Sequence, residues 1–218
     1  MTTGLDTQFM LDILPKLLRA TWITIQISVL TVILSCVFGG LLSAWRILGG
    51  RVVRAVIYGF VEFTRGVPPL VQIALIYFAL PRFGVVLNEF WTGVAALTFI
   101  GVGYTIEIVR AQVESLGRGQ SDASLGLGLS PWQTLFLVLV PQAMRRILPP
   151  LTNELVNVIK ASALLSVISV NELTKVANEL IFIHFVVIEV LIELTFLYLV
   201  VVGSLMWLSR WLERRSAT

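Results

Sequence analysis

Between Arg19 and Arg46 the chain runs for 26 residues without a charged side chain. At about 1.5 Å of rise per residue, an α-helix of that length exceeds the roughly 30 Å hydrocarbon core of a bilayer. A helix is also the form in which one segment satisfies all of its own backbone groups in lipid. The rest of the sequence is of the same kind. Of 218 residues, 57% are hydrophobic and 13% are charged, about half the charged share of a soluble domain. The expected fold class is all-α and polytopic, a single transmembrane domain over residues 1–218, with the lipid bilayer as its solvent and no nucleic-acid partner. The lone Cys36 excludes an intrachain disulfide and a cysteine-based metal site, and its small side chain suits a core position. Residues 1–16 carry Asp6 and Asp12 and lack a basic leader and a small-residue cleavage site, so they are expected to belong to the mature chain.

Charged residues divide the chain, because an ionised group in hydrocarbon costs several kcal/mol unless it is paired or solvated. They mark five expected spans, at about 20–45, 55–80, 90–109, 141–165 and 183–208. The second is interrupted by Glu62, Arg65, Gly66 and the Pro68-Pro69 pair, which should break the helix; Glu62 and Arg65 lie one turn apart and are expected to pair or to shape the break. Between the third and fourth spans, residues 118–140 are too polar and too rich in glycine to be a span, and suit contact with a soluble partner. Small residues in the first span, Gly39, Gly40, Ser43 and Ala44, would admit close helix contacts.

With five spans the termini lie on opposite sides. The first loop (Arg46, Arg51, Arg54), the third (Arg110, Arg118, Arg145, Arg146) and the C-terminus (Arg210, Arg214, Arg215) hold ten basic residues. The opposite side holds four, Lys16, Arg19, Arg82 and Lys175. Short cytoplasmic loops collect Lys and Arg, so the expected N-terminus is outside, the C-terminus is cytoplasmic, and residues 118–140 face the cytoplasm.

Within that loop Asp122-Ala123-Ser124, three residues, Gly128, nine residues and Val138-Leu139-Val140-Pro141 form a spaced pattern. It resembles the E-A-A loop of membrane subunits of bacterial ABC importers. Glu62 to Gln72 (E-F-T-R-G-V-P-P-L-V-Q), Tyr104 with Glu107, Ile108 and Arg110, and Pro141-Gln142-Ala143-Met144-Arg145 onward are similar to the polar amino-acid permeases of that class. The resemblance covers about residues 21–215. It implies a type I-like importer transmembrane domain in a bacterial cytoplasmic (inner) membrane, with alternating access and a coupling helix that rests on an ATPase subunit. It also implies partners: an ABC ATPase dimer, a second permease subunit, identical or homologous, and an extracytoplasmic solute-binding protein. The ATPase-coupling residues would be Asp122, Ala123, Ser124, Gly128 and Pro141, with Asp122 one methylene shorter than the usual glutamate. The loop would form two short helices, the first capped by Ser121 or Asp122 and ended by Gly126 or Gly128.

No G-x-x-x-x-G-K-[ST] occurs, so ATP and Mg would be held by the partner ATPase, no cofactor is expected on this chain, and it is not expected to be an enzyme. The only histidine, His184, is expected to pack or lie at an interface. Candidates for the substrate pathway are Gln72 and, on the fourth helix, Asn153, Glu154, Asn157, Lys160 and Ser162. Asn153, Asn157 and Lys160 recur at helical spacing, a stripe suited to the ammonium and carboxylate of a polar amino acid; satisfying helix contacts is the other reading of Glu154 and Lys160. Ala161 stands where many relatives are acidic, which favours a neutral or acidic substrate over a cationic one. Glu189 and Glu193 share a face expected against protein. The alternative function is an ATP-independent channel or secondary transporter, which would need repeated broken helices that the sequence lacks.

Overall fold

The computed structural model describes residues 5–216, with side chains through residue 211. Arg214 and Arg215, counted above, therefore lie outside the described side chains. The first helix, α1 (Thr7–Leu48), starts 13 residues before the expected span and has 42 residues, about twice what the hydrocarbon core requires. Asp6 caps it by accepting the Phe9 N–H at 2.9 Å. The extension persists through Pro15 because Ile13 and Leu17 are buried against Leu173, Ala177, Leu180, Val190 and Leu197.

The second span is two helices, α2 (Arg51–Gly66) and α3 (Pro69–Ala79), meeting at a 110° bend and followed by a 3-10 turn, Leu80–Phe83. Neither piece alone reaches across the membrane. The third span is α4 (Glu89–Glu114), capped by Asn88 through the Trp91 N–H. It runs parallel to α1: Ser35 Oγ donates to Thr98 O at 3.5 Å near the middle, and Arg46 lies 3.7 Å from Glu107 toward the C-terminal ends. Parallel helices require the connecting chain to return across the membrane. The bent pair is thus a broken crossing.

Helix α5 (Arg118–Gly126) follows, then α6 (Pro131–Gln133), a π-helical turn (Thr134–Leu139) and α7 (Val140–Ser162) in one unbroken helical run. The expected loop at 118–140 is corrected by this: its second half already belongs to the fourth crossing, Pro131–Ile168. α7 runs antiparallel to α4, because Arg146 bonds Ser115 at one end while Leu165 lies against Gly93 at the other.

The expected fifth span at 183–208 is also corrected. Ile183 and His184 end a separate helix, α8 (Leu173–His184), and the crossing is α9 (Ile188–Ser216) after a turn at Phe185 with φ 55°. α8 is capped by Glu172, which is 0% exposed and accepts the N–H groups of Thr174 (2.9 Å) and Lys175 (2.6 Å). Burial pushes the Glu172 carboxyl above the usual range, against those N–H groups, which hold it down. The Asp6 N–H donates to Glu189 at 3.4 Å, so α9 begins where α1 begins and runs parallel to it. The five crossings place the start of α1 and the end of α9 at opposite faces.

The packing is inverted relative to a soluble bundle. α1 buries a seam of small and hydroxylated residues, Thr24, Ser28, Thr31, Ser35, Gly39 and Ser43, while Trp22, Ile33, Leu41 and Trp45 are exposed. The hydroxyls of Ser28 and Ser43 donate back to the carbonyls of Thr24 and Gly39, so burying them leaves no donor unmet. Without a hydrophobic drive between helices in lipid, close approach and dispersion must hold them, and small residues permit both. α4 lies at the centre: a Cβ on Gly39 would come 2.6 Å from Thr105, one on Gly101 would overlap Ser35, and one on Gly103 would overlap Thr64 of α2. Gly40, in contrast, meets nothing, and Ala44 is half-buried.

Candidate functional site

Polar residues leave the packed bundle in two places, at the end where α4 meets α7 and along one face of α7. At the first, Gly117 enters α5 with φ 77°, a left-handed conformation that glycine adopts without strain. The helix therefore begins at Arg118 with no side-chain cap, and the expected caps Ser121 and Asp122 lie inside it. Its exit is as expected. Gly128 (φ 85°) donates to Leu125 O at 2.9 Å and Leu129 N–H to Ser124 O at 3.1 Å, a Schellman closure that requires a left-handed residue at 128.

A third device was readable and was missed: Ser130 and Gln133 form a reciprocal capping box with Pro131 in the first turn, which starts α6 only two residues after Gly128. α5 is thereby folded back onto the π-helical turn, with Ser124 buried and donating to Gln120 O at 2.7 Å. Gln142 of α7 ties it by a 3.2 Å bond to Gln120. Arg146 anchors the preceding turn through Ser115 O and Oγ at 3.2 and 3.1 Å. Pro141 is exposed and lines a cavity of about 470 Å³ with Leu116, Gln142, Arg145 and Arg146. Asp122 and Ala123 face outward with Leu125, Trp132 and Leu127, the last 84% exposed. A short rigid helix with an apolar and acidic outer face, tied to α4 and α7, can transmit a push on that face to both crossings.

The face of α7 divides the expected stripe in two. Asn153, Asn157 and Lys160 are exposed, whereas Glu154 is 7% exposed and accepts the Asn157 side-chain N–H at 3.3 Å. Ser162 is buried and donates to Ile159 O at 2.8 Å. Three exposed polar side chains inside a crossing demand water or a protein partner over that face, since lipid offers neither hydrogen bonds nor counter-charge.

At the break, Pro68 lacks the N–H that would have bonded Thr64 O. Gln72 supplies the replacement, its side-chain N–H groups donating to Thr64 O at 2.9 Å and Val67 O at 2.7 Å. It is 1% exposed, so in this structure Gln72 staples the break and faces no open path. Of the two readings of Glu62 and Arg65, pairing does not occur: both side chains are exposed on either side of buried Thr64, as is Gly66, and no ion pair joins them, while both lie in the last two turns of α2 beside the break. Elsewhere His184 is exposed and packs edge-on to Phe9 at 5.1 Å, and Glu193 is buried at 8% exposure on the face of α9 that was expected against protein. Among the described residues no group of His, Cys, Asp and Glu could hold a metal ion.

The chain is similar to known proteins. The glutamine transport system permease protein GlnP of Escherichia coli strain K12 is 37% identical over 204 residues, 93% of each chain. The nopaline transport system permease protein NocM of Agrobacterium fabrum strain C58 is 30% identical over 220 residues, 95% of this chain and 91% of that one. The fold superimposes with a TM-score of 0.89 on the crystal structure of an amino acid ABC transporter with histidines, at 30% identity over 98% of this chain and 100% of the other. A family model described as the binding-protein-dependent transport system inner membrane component matches residues 36–218. The chain, with its five crossings and its α5 turn at Gly128, belongs to that family of ABC-importer permease subunits.

Proposed function

We propose that this chain forms the membrane pathway of an ATP-driven importer of a polar amino acid, and that Asp122, Ala123, Ser124, Gly128 and Pro141 couple it to a separate ATPase dimer that carries ATP and Mg. The observation that carries the proposal is α5 itself, a nine-residue helix held by two left-handed glycines against the roots of α4 and α7 with Asp122 and Ala123 turned outward. A helix so placed has no packing role that needs its outer face.

The exposed Asn153, Asn157 and Lys160 support the pathway assignment, with Glu154 behind them. Five crossings do not enclose a channel, so a second permease subunit, identical or homologous, would cover that face and leave a polar cleft between the two. The basic end of the bundle, with Arg46, Arg51, Arg54, Arg110, Arg118 and Arg145, would face the cytoplasm, which puts the N-terminus outside, where a solute-binding protein docks. The glutamine permease relative agrees with a neutral amino acid, as does Ala161 in place of an acidic residue.

Purification of the chain with its native partners tests this. A copurifying ATPase that is lost in Gly128→Val, together with ATP-dependent uptake of glutamine or a similar amino acid into vesicles, is the expected result. Uptake that persists with no ATPase present would overturn it in favour of a secondary transporter.

A further inference from the structure

A second cluster of charge, unused by the pathway, lies where the C-terminal ends of α1 and α4 meet the N-terminal end of α2. A cavity of about 550 Å³ there is lined by Arg46, Arg54 and Arg110, by Glu114 and Tyr58, and by the apolar Ile47, Ala55, Ile106 and Val113. Its charges do not cancel. Arg110 is paired twice, with Glu107 and Glu114, which consumes both carboxylates. Arg46 approaches Glu107 only to 3.7 Å, and its buried Nη1 makes no hydrogen bond. Arg54 donates to a neutral acceptor, the Ile47 carbonyl at 3.2 Å. One net positive charge therefore faces the cavity.

The surroundings indicate which anion. The cavity lies at the end of the crossings, at headgroup depth, and α2 carries Val52 and Val56, 77% and 67% exposed, beside Ala55 on its outer side. With charged groups in its wall and exposed apolar side chains of α2 beside it, the cavity fits a phosphate that arrives attached to acyl chains.

We propose that this cavity is a binding site for the phosphate of an anionic phospholipid, held by Arg46 and Arg54 with Tyr58 as a neutral donor. The site rests on this end of the bundle lying at a membrane surface, and it is independent of which solute is transported. Arg51, at the first position of α2, adds to the attraction, while the paired Arg110 shapes the wall. Occupancy would brace α2 against α1 and α4, beside the broken crossing.

The experiment is native mass spectrometry of the assembled complex released from nanodiscs that contain phosphatidylcholine with or without phosphatidylglycerol. The wild-type complex should retain phosphatidylglycerol. Arg54→Gln should retain about tenfold less, the usual worth of one charge-assisted hydrogen bond. Arg82→Gln, at the opposite face, should match the wild type. Ala55→Glu is the second variant, placing a carboxylate in the cavity without removing any wall contact, and it too should shed the lipid. Equal retention in Arg54→Gln and Ala55→Glu would overturn the site, and equal loss in Arg82→Gln would reduce it to general surface charge. Displacement of the lipid by inorganic phosphate would overturn the lipid as the source. The readout is lipid mass and not uptake, so failure here leaves the importer proposal intact.

Discussion

α4 and α7 both cross the centre of this membrane domain, and they deploy their polar residues in opposite ways. On α4, Thr98 and Thr105 are buried, with Gly101 and Gly103, against Ser35, Gly39 and Thr64 on neighbouring helices. On α7, Asn153, Asn157 and Lys160 stand exposed on a face that no other helix covers among the described residues. The difference teaches that polarity in a membrane span has two distinct causes. Small hydroxylated residues are there so that backbones can approach, and those of Ser28 and Ser43 donate to carbonyls one turn back, although Thr98 and Thr105 find no hydrogen-bond partner. Long polar side chains cannot serve that purpose. Left exposed, they mark where water, substrate or another subunit must come.

The sharpest way to break the comparison is to enlarge α4. Gly103→Val sets a branched side chain on Thr64, in a seam where α2 and α4 have no room to part, and overpacking of this kind costs about 1–3 kcal/mol or more. The purified variant should show the largest fall in melting temperature of any change considered; a melt equal to wild type would mean that the α2–α4 seam is loose. Next, Gly128→Val forces a branched residue into φ 85°, a strain of about 1–2 kcal/mol confined to the α5 turn. Uptake should be lost while the melt moves little, which a size-exclusion profile with and without the ATPase would show.

Lys160→Ala removes an exposed side chain, so its effect on stability should stay within about 0.5 kcal/mol. Uptake, in contrast, should fall about tenfold, the equivalent of 1.4 kcal/mol, with ATPase binding retained. If instead the melt falls and uptake per folded molecule does not, α7 is structural like α4 and the contrast collapses. The smallest effect is expected for Asp122→Glu. It restores the longer carboxylate usual in the resembling loops on an exposed position, and initial uptake rates should change by no more than about threefold, an ordinary surface effect of under 1 kcal/mol.

Several elements were readable in the residues because their causes are local. Pro68 and Pro69 lack N–H groups, so a break had to fall beside them, and it does, at Val67–Pro68. The closure at Gly128 likewise needs only the conformational freedom of one glycine. Misreadings arose where distant residues decided. Nothing near Thr7 announces a helix that continues through Pro15; Leu173, Leu180 and Val190, far along the chain, make that extension worth forming. The expected fifth span takes in the last two residues of α8 because Ile183, Phe185 and Val187 belong to one apolar run, and the turn at Phe185 carries neither glycine nor proline to mark it. Glu62 and Arg65 lie at pairing distance along a helix, which leaves pairing and a role at the break both open in the sequence; in the fold both are exposed, away from the seam that Thr64 fills.

By itself the sequence determined the solvent and the number of crossings, since transfer energies of whole segments are sums over residues and need no partner. It also determined the break at Pro68 and the turn at Gly128, through proline and glycine, whose backbone limits are intrinsic. Only the tertiary structure decided that α1 and α4 run parallel, which makes the bent pair α2–α3 a true crossing. It alone separated Gln72, spent on the orphaned carbonyls of that bend, from Asn153, Asn157 and Lys160, left exposed. Which side of a helix is covered depends on neighbours distant in sequence, and for a polar group at membrane depth that coverage is what distinguishes holding the fold from meeting a substrate.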